Sequence, residues 1–160
     1  MLVLRNYIAL DVSLLMKLTD PFGVNLLELL FKMVDQIYKK GPNEFEGEVE
    51  MNNCTVLMIY LLENYHRKWD EQLINHMWMV AQYNLTKAKS KVLKAINAQL
   101  LSVFLWNCPA KTIALAQSAN LIEPMLACIL HSEAKLKMEH ERQRVILGLS
   151  ELLTLNNKPN

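Results

Sequence analysis

Residues 20–42, DPFGVNLLELLFKMVDQIYKKGP, decide how the rest of the chain is read. Asp20 followed by Pro21 is a helix-start signal: a side-chain acceptor for the first amides, then a ring whose fixed φ suits the first helical position. Leu26, Leu27, Leu30, Met33, Val34 and Ile37 then recur at spacings of three and four, which places them on one stripe of an α-helix. Gly41-Pro42 stops it.

The same kind of helix is predicted over 73–83 and 121–130, starting 47 and then 48 positions further on. Each is preceded by another apolar helix, over 2–10, 54–65 and 92–106, the last two apolar nearly all round, and a further helix without a partner follows over 138–155. A helix without a polar face must be packed between neighbours. The period lies at the upper edge of the roughly 40–47 residues of HEAT and armadillo arrays. The expected fold is therefore all-α, a right-handed α-solenoid of HEAT-type antiparallel helical hairpins over 1–160. Its repeats would fall near 1–40, 41–86, 87–132 and, incompletely, 133–160. No single pair can bury its apolar surface, whereas stacked pairs cover one another. The first and last helices have no partner in this text, so the chain reads as a segment of a longer protein.

Composition supports helices. Of the 160 residues 52% are hydrophobic, while 4 Gly and 5 Pro are too few for a sandwich, a barrel or a disordered chain. A net charge of +1 provides no overall field to attract nucleic acid or an anionic membrane, so neither is an expected partner. The longest apolar run, 56–62, is far short of the roughly 18 residues of a membrane span. Residues 1–18 contain Arg5 and Asp11 and no small-residue cleavage site, which suits a core helix better than a signal peptide. Cys54, Cys108 and Cys128, odd in number and far apart, read as reduced thiols of an intracellular protein.

No catalytic residue, cofactor or metal is expected. His66, His76, His131 and His140 form no converging ligand set, and Cys108 at a helix start has no histidine beside it in sequence. There is no phosphate-cradling glycine loop and no nucleophile elbow. The sharper candidates are for partner binding. Glu44, Glu46, Glu48 and Glu50, with Phe45 among them, could dock a basic protein segment, although an ordinary solvated linker favouring the next helix's positive end fits them too. Trp69 beside Glu71 would stand at a repeat edge as a partner contact, against simple staple packing. Trp78 and Trp106 fall on core stripes. Lys87, Lys89, Lys91 and Lys94 lack interleaved aromatics, so pairing with acids of a neighbouring repeat is expected rather than phosphate binding. Asp70 and Ser90 are expected caps, and Pro109 opens a further helical piece over 110–119. Glu133 through Arg144 alternate in sign, as on a solvated helix face. The helices near 71–83 and 120–130 would face inward as the binding surface.

Three passages carry a resemblance. Leu4, Arg5, Asn6, Tyr7 and Ile8, with Asp11 and Leu14-Leu15, resemble an L-x-N-Y-V … D … L-L passage. Residues 83–94 (YNLTKAKSKVLK) followed by 101–109 (LSVFLWNCP) are similar to an L-T-x-x-x-K-T-x-x-L-R … N-P helix. Residues 142–153 (RQRVILGLSELL) resemble an R-K-x-x-x-L-G-L-x-x-L helix. Together they resemble the importin-7/importin-8 branch of the importin-β (β-karyopherin) superfamily, toward its carboxyl-terminal third, the last passage being shared more widely with exportin-2-type and importin-9-type receptors. Residues 20–22 and 44–50 depart from that pattern. The resemblance implies a receptor shuttling between cytoplasm and nucleus, carrying protein cargo past nucleoporins and switched by the GTPase Ran. Ran's main contacts in such receptors would fall mostly outside this chain. Periodicity alone equally suits a HEAT scaffold of a phosphatase, chromosome or trafficking assembly, or a helical bundle complete in itself.

Overall fold

A computed structural model describes residues 17–42, 48–64, 71–132 and 136–155. Among the described residues there are seven α-helices and no strand: α1 (Leu26–Lys40), α2 (Val49–Asn64), α3 (Glu71–Lys87), α4 (Lys91–Asn107), α5 (Pro109–Ser118), α6 (Ile122–Ser132) and α7 (Glu139–Leu155). The chain is all-α. The helix expected over 2–10 and the Asp70 cap lie outside the described residues.

Local chemistry sets the helix ends. The start signal at Asp20-Pro21 is used differently from expectation. The Asp20 carboxylate accepts from the amides of Phe22 and Val24 at 2.9 and 2.8 Å, and Gly23 turns the chain at φ +81°. That left-handed turn blocks helix propagation, so α1 begins five residues later, where Asn25 accepts from the Leu27 amide at 2.9 Å. Ser90 caps α4 as expected, accepting from the Leu93 amide at 3.1 Å. Pro109 opens α5, and Asn120, at φ +56°, closes the turn beyond it while the Leu121 amide donates back to the Ala116 carbonyl at 2.8 Å.

The uniformly apolar helices are interior ones. Nine successive residues of α4, Asn97 to Leu105, are buried, which requires neighbours on every side. α4 packs most extensively on α7, then on α2 and α6, with further contacts to α3 and α5. Alternate helices lie side by side with a consistent register. Glu48 meets Ser90, Gln99 meets Glu141 and Arg144, and Gly148 lies over Ser102, so α2, α4 and α7 run parallel in that order. Phe31 and Asp35 meet His76 while Tyr38 meets Tyr83, so α1 and α3 are parallel as well. Trp78 of α3 packs edge-on against Phe104 of α4, ring centroids 5.7 Å apart. Trp78 is buried as expected, and Trp106 is half-buried.

The charged run before and within α7 is corrected at one position. Arg144 is buried, with its guanidinium held by Glu63 of α2 and Gln99 of α4, rather than lying on a solvated face. It sits beside Val145 on the stripe that α7 turns toward α4. Its partner, Glu63, is 81 residues away in sequence, beyond the reach of a local charge pattern.

Candidate protein interface

The parallel packing of α1 and α3 leaves a groove between them. The His76 ring leans on Phe31 with centroids 4.7 Å apart, and its Nε2 lies 2.6 Å from Asp35 Oδ1. Two hollows adjoin at this pair. One, of about 420 Å³, is lined by Leu27, Phe31 and Leu73 with Glu28, Lys32 and Gln72 at its edge. The other, of about 340 Å³, is lined by Val34, Tyr38, Lys39, Met79, Val80 and Tyr83. An apolar floor with a charged and amide rim is the composition of a protein-binding groove.

A buried polar cluster holds the floor in place. Tyr38 Oη donates to Asn84 Oδ1 at 3.0 Å and lies 3.2 Å from Thr55 Oγ1. Asn84 Nδ2 donates to Thr55 Oγ1 at 2.8 Å, and Asn97 Nδ2 donates to the Ala81 carbonyl at 3.1 Å. Four helices, α1 to α4, are thereby pinned at one point. Burial pushes the Tyr38 phenol up to about 12, against the pull of its hydrogen bonds to Thr55 and Asn84. Such a cluster fixes register because a slipped arrangement would strand several of its groups unpaired.

The four linker acids are not brought together among the described residues. Glu44 and Glu46, with Phe45, lie outside them, as does Trp69. Glu50 is exposed in the first turn of α2. Glu48 braces the start of α4: its carboxylate accepts from the amides of Lys89 and Ser90 at 2.7 and 2.9 Å. Burial raises its pKa, and these amides together with the nearby Lys94 charge bring it below the usual carboxylate value. Glu71 is at the other end of the helices, paired with Lys111 of α5, whose hydrogen bond and charge lower its pKa. Of the lysines expected to pair with neighbouring acids, Lys94 lends its charge to Glu48 and Lys89 its backbone amide.

Replacing Glu48 with glutamine will cost about 1 kcal/mol at pH 7, the size of a partly exposed hydrogen bond to a charged group. Because the folded pKa of Glu48 lies below its unfolded value, its contribution is fully present above the unfolded pKa. It is lost as pH falls through the folded one. Urea unfolding of both proteins at pH 7 and pH 3 checks this: the difference should be clear at pH 7 and nearly gone at pH 3.

Cys54 is buried, and desolvation, with the Glu50 charge adding to it, pushes its thiol up to about 11. Burial likewise raises Cys108. Both thiols stay protonated at neutral pH and are poor nucleophiles. Cys128 and His131, one turn apart on α6, line a hollow of about 260 Å³ with Asn84 and Lys94; that spacing is visible in the sequence but was not among the expected sites. Among the described residues no three histidine, cysteine or carboxylate groups converge to hold a metal ion. No described helix is long and apolar enough to cross a membrane.

No protein-family model, characterised protein or solved structure matches the chain.

Proposed function

We propose that this chain is a non-catalytic protein-binding stack of right-handed, HEAT-type helical hairpins. The receptor it serves is an importin-like one that moves protein cargo through the nuclear pore, between cytoplasm and nucleus, under the control of Ran. The groove between α1 and α3 is its cargo-facing surface in this reading, continued by α6.

One observation supports the stacked architecture above others. Side-chain ties recur at nearly constant separations along the chain: Glu71 to Lys111 at 40 positions, Asp35 to His76 at 41, Glu48 to Ser90 at 42 and Gln99 to Glu141 at 42. Similar separations are what a repeat array would give, each hairpin being bound to the next by its own set of contacts. An array of this kind offers extended surface and no enclosed site, which suits binding rather than catalysis. The choice of transport over another scaffold rests on the three sequence passages quoted above.

The test is recovery of bound proteins from cells by immunoprecipitation of the protein tagged at its chromosomal gene, so that every segment encoded with this chain is present. Ran loaded with a slowly hydrolysed GTP analogue, or with GDP, is added to the precipitate. The GTP form should displace the bound cargo, or be retained with it, at least several-fold more than the GDP form. Identical profiles with both nucleotides would overturn the transport reading and leave a general scaffold.

A further inference from the structure

Cations gather where α4 begins. Lys87 and Lys89 precede the helix, Lys91 and Lys94 lie in its first turn, and Lys137 stands just before α7. Among the described residues none of these five ammonium groups is in an ion pair or a side-chain hydrogen bond. Acids nearby are already engaged. Glu48 is held by the amides of Lys89 and Ser90, and Glu141 accepts from Gln99 Nε2 at 3.2 Å and from the Met138 amide at 3.0 Å. Glu139 faces Gln143 of its own helix.

Between these lysines is an apolar trough. A hollow of about 420 Å³ between the starts of α4 and α7 is lined by Val92, Ala95, Ile96 and Leu136, with Lys91 and Lys137 on its rim and Gln99 and Glu141, hydrogen-bonded to each other, at its inner end. Ala95 is shared with the second hollow, on the α6 side, where Lys94 and His131 stand. Val92 and Met138 flank the trough and are 59% and 58% exposed, so apolar surface remains open to a partner.

We propose that this lysine-rimmed trough docks an acidic peptide segment that carries one large apolar side chain. The apolar side chain lies over Ala95, Ile96 and Leu136, and carboxylates on either side of it meet Lys91, Lys94 and Lys137. A peptide is favoured over a polynucleotide by the lining: apart from His131 at one end no aromatic ring lines it to stack a base, and no arginine fork is present to grip a phosphate. A small apolar hollow between point charges instead matches alternating acidic and aliphatic side chains. The inference does not depend on Ran or on the transport reading.

The experiment is fluorescence anisotropy of the full chain with a labelled twelve-residue peptide of Glu and Asp around a central Leu, in 50 mM and 200 mM salt. The comparison probes are the same peptide with Ser for Leu, a thymidine oligonucleotide of equal charge, and vesicles containing anionic lipid. The Leu peptide should bind, and Lys91→Glu with Lys137→Glu should weaken it about tenfold, the size of losing two such charge pairs. Val92→Glu, at an exposed position where folding is not at stake, should weaken it comparably, while Lys32→Glu, far from the trough, should not. Peptide binding that ignores Val92→Glu, or equal binding by the Ser peptide, the oligonucleotide or the vesicles, would reduce the site to general attraction of polyanions and overturn the proposal. So would no binding at either salt concentration.

Discussion

Replacing Gly148 with alanine will destabilise the protein by about 2 kcal/mol, although alanine is the better helix former by about 1 kcal/mol in a helix interior. The reason is the distance between α7 and α4. A Cβ at position 148 would stand 2.8 Å from Ser102 Cα and 2.9 Å from its carbonyl carbon, and closer still to the carbonyl oxygen. These are backbone atoms of a buried helix, so no rotamer change can relieve the overlap. α7 would have to move away from α4 along the most extensive helix–helix contact in the molecule. Ser102 is itself tied down, its hydroxyl donating to the Ala98 carbonyl at 2.8 Å. Overpacking of this kind typically costs 1–3 kcal/mol, and the larger Gly148→Val should cost more than alanine. Urea unfolding followed by far-UV circular dichroism measures it, with Ser150→Ala on the exposed side of α7 as the control for helix propensity. If Gly148→Ala unfolds at the same urea concentration as the parent, or a higher one, the close crossing of α4 and α7 is wrong.

Gly148 also shows what could and could not be read from the sequence. Its place inside an apolar helical run, ILGLSELL, is plain at residues 146–153. That it sits against the backbone of Ser102 depends on which helix is the neighbour, and periodicity does not say. Periodicity did locate the helices, because a stripe such as Leu27, Leu30, Phe31 and Val34 needs only local spacing. The even burial of α4 was legible for the same reason. Asp20 was misjudged because an aspartate can cap a turn as readily as a helix. Here the deciding residue was Gly23, whose left-handed backbone closes that turn.

Polar residues were the harder class. Glu48 stood in a run of acids and looked like surface charge, yet its carboxylate is spent on two amides 41 and 42 residues away. Asn84 and Asn97 drew no notice at all, and both are buried in the cluster around Tyr38. A buried polar side chain is recognised by its partner, and these partners come from other helices. The one signal available in advance was the polar residue interrupting an otherwise apolar helix, as Asn97, Gln99 and Ser102 do within α4. Asn97 and Gln99 find their partners on other helices, whereas Ser102 bonds back to Ala98 of its own.

The same logic makes Arg144 the side chain with the most to lose. Its Nε and one terminal nitrogen donate to the two oxygens of Glu63 at 2.5 and 2.8 Å, its other terminal nitrogen donates to Gln99 Oε1 at 2.8 Å, and its plane lies 5.7 Å from the Tyr60 ring centre. Three parallel helices, α2, α4 and α7, are tied by one guanidinium. Burial works against its charge, and the hydrogen bonds and charge of Glu63 more than compensate, raising its pKa. Side-chain exposure of 11% for Arg144 and 20% for Glu63 leaves little water to replace a missing partner. Arg144→Met should therefore cost about 3 kcal/mol, the low end for breaking a buried pair, since it strands the Glu63 carboxylate and the Gln99 carbonyl. Arg144→Lys should recover less than half, because an ammonium cannot make the two parallel bonds and reach Gln99 at once. Arg144→Met combined with Glu63→Leu should be more stable than Arg144→Met alone by about 1–2 kcal/mol, since no charge is then left unpaired. A double-mutant cycle in urea at pH 7 reads all three. A loss under about 0.5 kcal/mol for Arg144→Met, as at an ordinary surface position, would mean that Arg144 is solvated and that α2, α4 and α7 are not joined at this point.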